Sequence, residues 1–204
     1  MIDKDLQAPD FYLQDQYEQW IKLTDYRGEK VCIIFFSSIA SLDNQAFIIN
    51  YAKLINDFNH FKINVIAICG DTSAELKTTC NRLHIPFSIL ADTDHKIRQH
   101  YDVWNQKITF GEIRWITSRS SLLIDETGRI YKTYKRANIE TNAADVLGFI
   151  QRNNEKAAWR KLSRRAKEKK KREQFRQNMI VEDSEQRPGL EDLIFFIEDY
   201  EKTK

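Results

Sequence analysis

Val31–Phe36 is a run of six apolar residues, V-C-I-I-F-F, set between Gly28-Glu29-Lys30 and Ser37-Ser38. A run that short, bounded by polar residues, is the pattern of a strand covered on both faces. Lys62–Gly70 (K-I-N-V-I-A-I-C-G) predicts a second buried strand, and Pro86–Leu90 a third, shorter one. Between them the apolar spacing changes to that of helices. Phe47, Tyr51, Leu54, Ile55 and Phe58 predict one helix, preceded by Ser41, Asp43 and Asn44, whose side chains are suited to accept from the free N–H groups of a helix start. Leu76, Cys80 and Leu83 predict another, capped by Asp71-Thr72-Ser73, and Asp92-Thr93-Asp94 caps a third through Ile97 to Tyr101.

The flanks complete the pattern. Phe11 and Leu13 face Trp20, Ile21 and Leu23 across a turn at Asp15–Glu18, as two short strands. Ser121–Ile124 and Arg129–Tyr134 predict a hairpin about Asp125-Glu126-Thr127-Gly128, where Gly128 can take a positive φ. Thr141–Ala144 opens a last helix through Val146, Leu147, Phe149 and Ile150. Strand and helix alternate and then close with an antiparallel pair, which predicts a mixed-sheet α/β domain over residues 1–151. Residues 102–120 receive no element.

Charge separates this body from the rest of the chain. Residues 1–151 hold 17 Lys/Arg against 19 Asp/Glu, residues 152–176 hold 12 against 3, and residues 177–204 hold 3 against 8. A near-neutral body is thus succeeded by a basic stretch and an acidic tail. The basic stretch lacks Gly and Pro and predicts a helix with a thin apolar stripe at Trp159, Leu162 and Ala166. In the tail, Pro188-Gly189 breaks the chain, and Leu190, Leu193, Ile194, Ile197 and Tyr200 predict an acidic amphipathic helix. Its apolar face calls for a partner: the chain itself, a second copy or another protein. The basic stretch also suits nucleic acid or an anionic membrane surface.

The cysteines, Cys32, Cys69 and Cys80, form no C-x-x-C pair and no zinc spacing. His60, His84, His95 and His100 are scattered, and Asp92-Thr93-Asp94 lacks the glycine and terminal glutamate of a calcium loop. No metal site and no cofactor are expected. The odd thiol count, and the lack of a signal segment or a long apolar run, fit a cytoplasmic protein.

Four segments carry a family resemblance: Ala8-Pro9-Asp10-Phe11 with Leu13 and Asp15; Leu23 to Gly28 leading into Val31–Phe36; Pro86-Phe87 with Leu90 and Asp92; and Arg119–Asp125 with Gly128. In order and spacing they resemble the peroxiredoxins of the alkyl hydroperoxide reductase/thiol-specific antioxidant superfamily, most closely the bacterioferritin-comigratory group. The resemblance implies a thioredoxin-like fold for the body; the charge and apolar spacing of residues 152–204 add a charged helical extension to it. The resemblance also implies a site at the strand-to-helix corner after Val31–Phe36. There the family's P-x-x-x-T-x-x-C falls on Ser37, Ser41 and Asn44, and the resolving cysteine of some members falls on Ile49. The family's arginine is matched by Arg119. No cysteine lies between Ile33 and Ile68, in this or in a C-x-x-C alignment. Peroxide reduction needs a thiolate, and asparagine offers none.

These residues support three readings of function. In the first, the chain is a non-catalytic peroxiredoxin-like binding scaffold. Its relict pocket of Ser37, Ser41, Asn44 and Arg119 then keeps a candidate anion site at Ser41, Asn44 and Arg119. The second is a thiol-dependent peroxidase using a displaced Cys69 or Cys80, of which Cys69 ends a strand on the ligand side of an α/β sheet. The third is nucleic-acid binding through residues 152–176.

Overall fold

The computed structural model describes residues 2–109 and 112–185 along the backbone, and side chains through 173 apart from residue 109. The chain divides into two units, Met1–Ile150 and Gln151–Lys204.

The first unit is built on a five-stranded sheet in the order β5-β4-β3-β8-β9. Its strands are β3 (Lys30–Phe35), β4 (Ile63–Cys69), β5 (Ser88–Ala91), β8 (Ser120–Ile124) and β9 (Ile130–Tyr134). β3, β4 and β5 run parallel, while β8 lies antiparallel on the other side of β3 and β9 pairs with it as a hairpin. The apolar run predicted as the central strand is central because both of its edges are paired. Successive side chains alternate between faces. Cys32, Ile34 and Phe36 join a core with Phe47, Tyr51, Phe58, Leu76, Val146 and Ile150 from the helices. Val31, Ile33 and Phe35 face the opposite way, against Ala8, Phe11, Leu23, Tyr101 and Val103. At about 25 cal/mol per Å² of buried apolar surface, these two layers dominate the stability of the fold.

The helices refine the sequence expectations. The first predicted helix is two, α1 (Leu42–Lys53) and α2 (Ile55–His60). Leu54 sits between them at φ −103°, ψ 10°, and its N–H closes a tight turn onto the Tyr51 carbonyl at 3.1 Å. The break swings Phe58 against Tyr51, ring centroids 5.7 Å apart. α3 (Ser73–Leu83) begins with a capping box in which Thr72 and Glu75 bond reciprocally. α4 (Lys96–His100) is capped by Asp92, whose carboxylate accepts from the N–H groups of Ile97 and Arg98.

Two hairpins complete the unit. β1 (Tyr12–Gln14) pairs with β2 (Trp20–Lys22) as expected. The second, β6 (Trp104–Thr109) with β7 (Glu112–Thr117), fills the stretch that received no element. Its signal was present: E-I-R-W-I alternates polar and apolar positions, and Phe110-Gly111 divides two similar runs.

α5 (Asn142–Glu185) is one uninterrupted helix through the end of the α/β body and the basic stretch. From Phe149 to Glu185 there is no Gly or Pro to stop it. The predicted acidic helix at Leu190–Tyr200 lies outside the described residues. Among the described residues no helix is long and apolar enough to cross a membrane.

Candidate functional site

The corner between β3 and α1 is shaped by a contact that the sequence pattern does not announce. Asp71, just past β4, does not cap α3. Its carboxylate reaches across to accept from the Ser38 hydroxyl and from the Ile39 N–H, each at 2.6 Å. The parallel pairing of β3 and β4 brings these loops to the same end of the sheet. The Ser37 carbonyl also accepts from the Gly70 N–H at 3.2 Å. So held, the loop delivers α1 with Asn44 turned inward.

Asn44 is buried, and its side chain is fully engaged. Its amide nitrogen donates to the Ser37 hydroxyl at 3.0 Å and to the Ser38 carbonyl at 2.8 Å. Its amide oxygen accepts from an Arg119 terminal nitrogen at 3.0 Å. Arg119 comes from the turn before β8, which antiparallel pairing lays along β3. The acceptor is a neutral amide, so this bond leaves the guanidinium charge uncompensated. Arg119 Nε is buried without a hydrogen-bond partner.

The expected side-chain cap is not formed. Ser41 occupies the N-cap position of α1 with extended backbone, but its hydroxyl makes no cap bond, and Asn44 is committed elsewhere. Ser41 and Asp43 are exposed.

Ser37, Ser41, Asn44 and Arg119 line one cleft of about 1030 Å³. The rest of its wall comes from β6, from the β7–β8 turn and from the loop after β9, including Lys107, Lys135 and Arg136. With Arg119 they give four cationic side chains against one lining carboxylate, Asp102, and Lys135 is also paired with Asp3 at 3.8 Å. Such a surface favours anions through charge and through the guanidinium's directional donors. The basic residues beyond Arg119 were not singled out from sequence, because strand β6 and the distant loop after β9 carry them.

Beneath the cleft, Arg98 and Asp92 form a fully buried ion pair. Arg98 Nε donates to the Asp92 carboxylate at 2.9 Å, and a terminal nitrogen donates to the Thr117 hydroxyl at 2.7 Å. Trp104 lies over the guanidinium at 5.0 Å and stacks on His95 at 4.3 Å. This network ties α4 to the β6–β7 hairpin and so fixes one wall of the cleft.

None of the cysteines lines the cleft. Cys32, Cys69 and Cys80 are free thiols, each buried in the helix-side core. Burial raises the pKa of all three, with Cys69 well above the ordinary thiol range and Cys80 pushed up to about 11. A thiol becomes nucleophilic by losing its proton, which these surroundings oppose. Among the described residues no group of three or more His, Cys, Asp or Glu side chains could hold a metal ion.

The sequence model of the AhpC/TSA family matches residues 5–133. Peroxiredoxin Bcp of Bacillus subtilis is 25% identical over 149 residues, covering 73% of this chain and 95% of that protein. Peroxiredoxin Bcp of Escherichia coli K12 is 25% identical over 144 residues, covering 71% and 92%. Among solved structures, the bacterioferritin comigratory protein of Xanthomonas campestris superposes with a TM-score of 0.70 at 17% identity, over 74% of this chain and 99% of that one. Xylella fastidiosa PrxQ superposes with a TM-score of 0.71 at 18% identity, over 76% and 98%. The fold is thioredoxin-like, as expected from the sequence.

Proposed function

Since the chain belongs to the AhpC/TSA family, we propose that it is a peroxiredoxin-like protein that binds an anion in its cleft and does not reduce peroxide there. Within the charged extension, the acidic tail of residues 177–204 serves as its element for contacts with another protein or a second copy. The observation that carries this reading is Asn44. By the resemblance it stands at the thiolate's place, with both amide hydrogens and the amide oxygen already engaged. The test is peroxide consumption by wild type and by Asn44→Cys in the presence of a thiol reductant, with calorimetric titration of small oxyanions into wild type. The expected result is an inert wild type that binds an oxyanion, and a variant that consumes peroxide. Turnover by wild type would overturn the reading.

The relatives' names favour a second reading, a thiol-dependent peroxidase. Both Bcp proteins are called peroxiredoxins, and here the thiol would come from Cys69 or Cys80. That route needs the core to open far enough to expose and deprotonate one of them. Alkylation of the native protein at mildly alkaline pH separates the readings. The binding reading expects all three thiols to resist until denaturant is added. The peroxidase reading requires one of them to react in the native state, and its replacement by serine to stop turnover.

A further inference from the structure

The second unit carries a feature that the cleft does not use. Within the described side chains of α5, residues 152–173 hold eleven Lys/Arg against three Asp/Glu. All of them are exposed except Ser163, which is half-buried. Trp159 and Leu162 are 71% and 60% exposed, so no described residue covers the only large apolar side chains there.

The arrangement of the charges selects the partner. At about 100° per residue, the cations cover about 260° of the helix circumference, from Arg152 and Lys156 round through Arg164, Lys161 and Arg165 to Lys169. The remaining strip carries Trp159, Leu162 and Ala166, but Glu155 and Glu173 fall on that same strip. A membrane-surface helix needs the opposite design, with a clean apolar face and cations only along its flanks. Here insertion would carry two carboxylates with the tryptophan, and a flat surface would leave much of the positive charge facing water. Like charges also stand four apart at Arg152/Lys156/Arg160/Arg164 and at Lys161/Arg165/Lys169, where they repel. The described ion pair within the stretch is Lys169 with Glu173, at 3.8 Å. A polyanion that flanks the helix on two sides relieves this repulsion, and the major groove of B-form DNA does so with a phosphate backbone on each wall. The length is also apt, since 22 residues rise about 33 Å, close to one turn of the duplex.

We propose that residues 152–173 of α5 bind double-stranded DNA through its phosphates, as a continuous basic helix and without base-specific readout. The contact is one of charge, so its affinity is set by the counterions released. It is independent of the anion-binding reading of the cleft.

The test is fluorescence anisotropy of a labelled duplex of about two helical turns, titrated with the full chain, including its acidic residues 177–204. Salt is varied between about 50 and 200 mM. The expected result is binding with a dissociation constant of about 10⁻⁴ to 10⁻⁶ M, weakening steeply with salt. Replacing Arg160, Lys161, Arg164 and Arg165 together by alanine keeps helix propensity. It should weaken binding at least about tenfold and make the log–log salt slope shallower by about 3 to 4. Circular dichroism of the variant checks that the helix is retained. Absence of duplex binding overturns the proposal, as does a slope that the four substitutions leave unchanged. Binding to vesicles of mixed phosphatidylserine and phosphatidylcholine without binding to the duplex would likewise assign the helix to membranes.

Discussion

Arg119 donates to the side-chain oxygen of Asn44 at 3.0 Å, across 75 positions of the chain. The guanidinium is aimed at a residue in the first turn of α1, beside backbone N–H groups that receive no side-chain cap. This is the electrostatic setting that stabilises a thiolate, occupied here by a side chain with no thiol.

A thiol placed at that position should therefore be acidic. In Asn44→Cys, the arginine and the helix start are expected to lower the thiol pKa by about 1–3 units from its ordinary value. Adding Arg119→Ala should return most of that shift. The rate of alkylation against pH reads both pKa values directly, and an unshifted thiol in the single variant would show that the corner does not act on charge.

Gly70 is required for space. A Cβ there would stand 2.7 and 2.9 Å from the two terminal nitrogens of Arg98. Those nitrogens cannot retreat, because Thr117 and the Asp92 carbonyl hold them. Gly70→Ala should destabilise the fold by about 1–3 kcal/mol through overpacking. That corresponds to a fall in melting temperature of about 2–4 °C per kcal/mol for a chain of this size.

The Arg98–Asp92 pair is almost wholly excluded from water, at 1% and 0% exposure. Removing one partner strands the other charge, so Arg98→Met or Asp92→Leu should each cost about 3–5 kcal/mol. The double replacement should cost less than the two together, since no orphaned charge remains. Denaturant unfolding of the four proteins closes the cycle. Additive losses would mean that the two side chains act independently.

The capping box of α3 gives a pH signature. Bonds from the Thr72 N–H and hydroxyl hold the Glu75 carboxyl below its ordinary value of 4.5. A depressed folded-state pKa stabilises above the unfolded value, and the contribution disappears as pH falls through the folded one. Wild type should therefore exceed Glu75→Gln in melting temperature at neutral pH by a margin that shrinks below about pH 4.5. A margin independent of pH would place the effect outside this carboxylate.

Several features of this protein are written locally and were legible in order along the chain. Val31–Phe35 lie in a strand buried on both faces, as a short β-branched and aromatic run bounded by glycine and polar residues favours. Gly128 turns a hairpin at φ 83° because it lacks a Cβ. Thr72 caps α3 because its hydroxyl lies within three residues of the N–H it accepts from. The resemblance around Ser37, Ser41, Asn44 and Arg119 likewise rests on residue types and spacing.

Tertiary structure decided what depends on approach between distant segments. Asp71 looked like a helix cap, but the parallel pairing of β3 and β4 brings it to Ser38 and Ile39, whose donors it satisfies instead. Asn44 looked like another cap, but Arg119 and Ser37 claim its polar atoms once β8 lies against β3. Cys69 looked reachable at a strand end, yet packing of the helices over the sheet closes it off completely. The cationic cleft exists only because the β6–β7 hairpin and the loop after β9 converge on the same corner. A short-range pattern sets the conformation a segment prefers; which charges meet, and which thiols stay dry, is settled by the long-range packing that removes them from water.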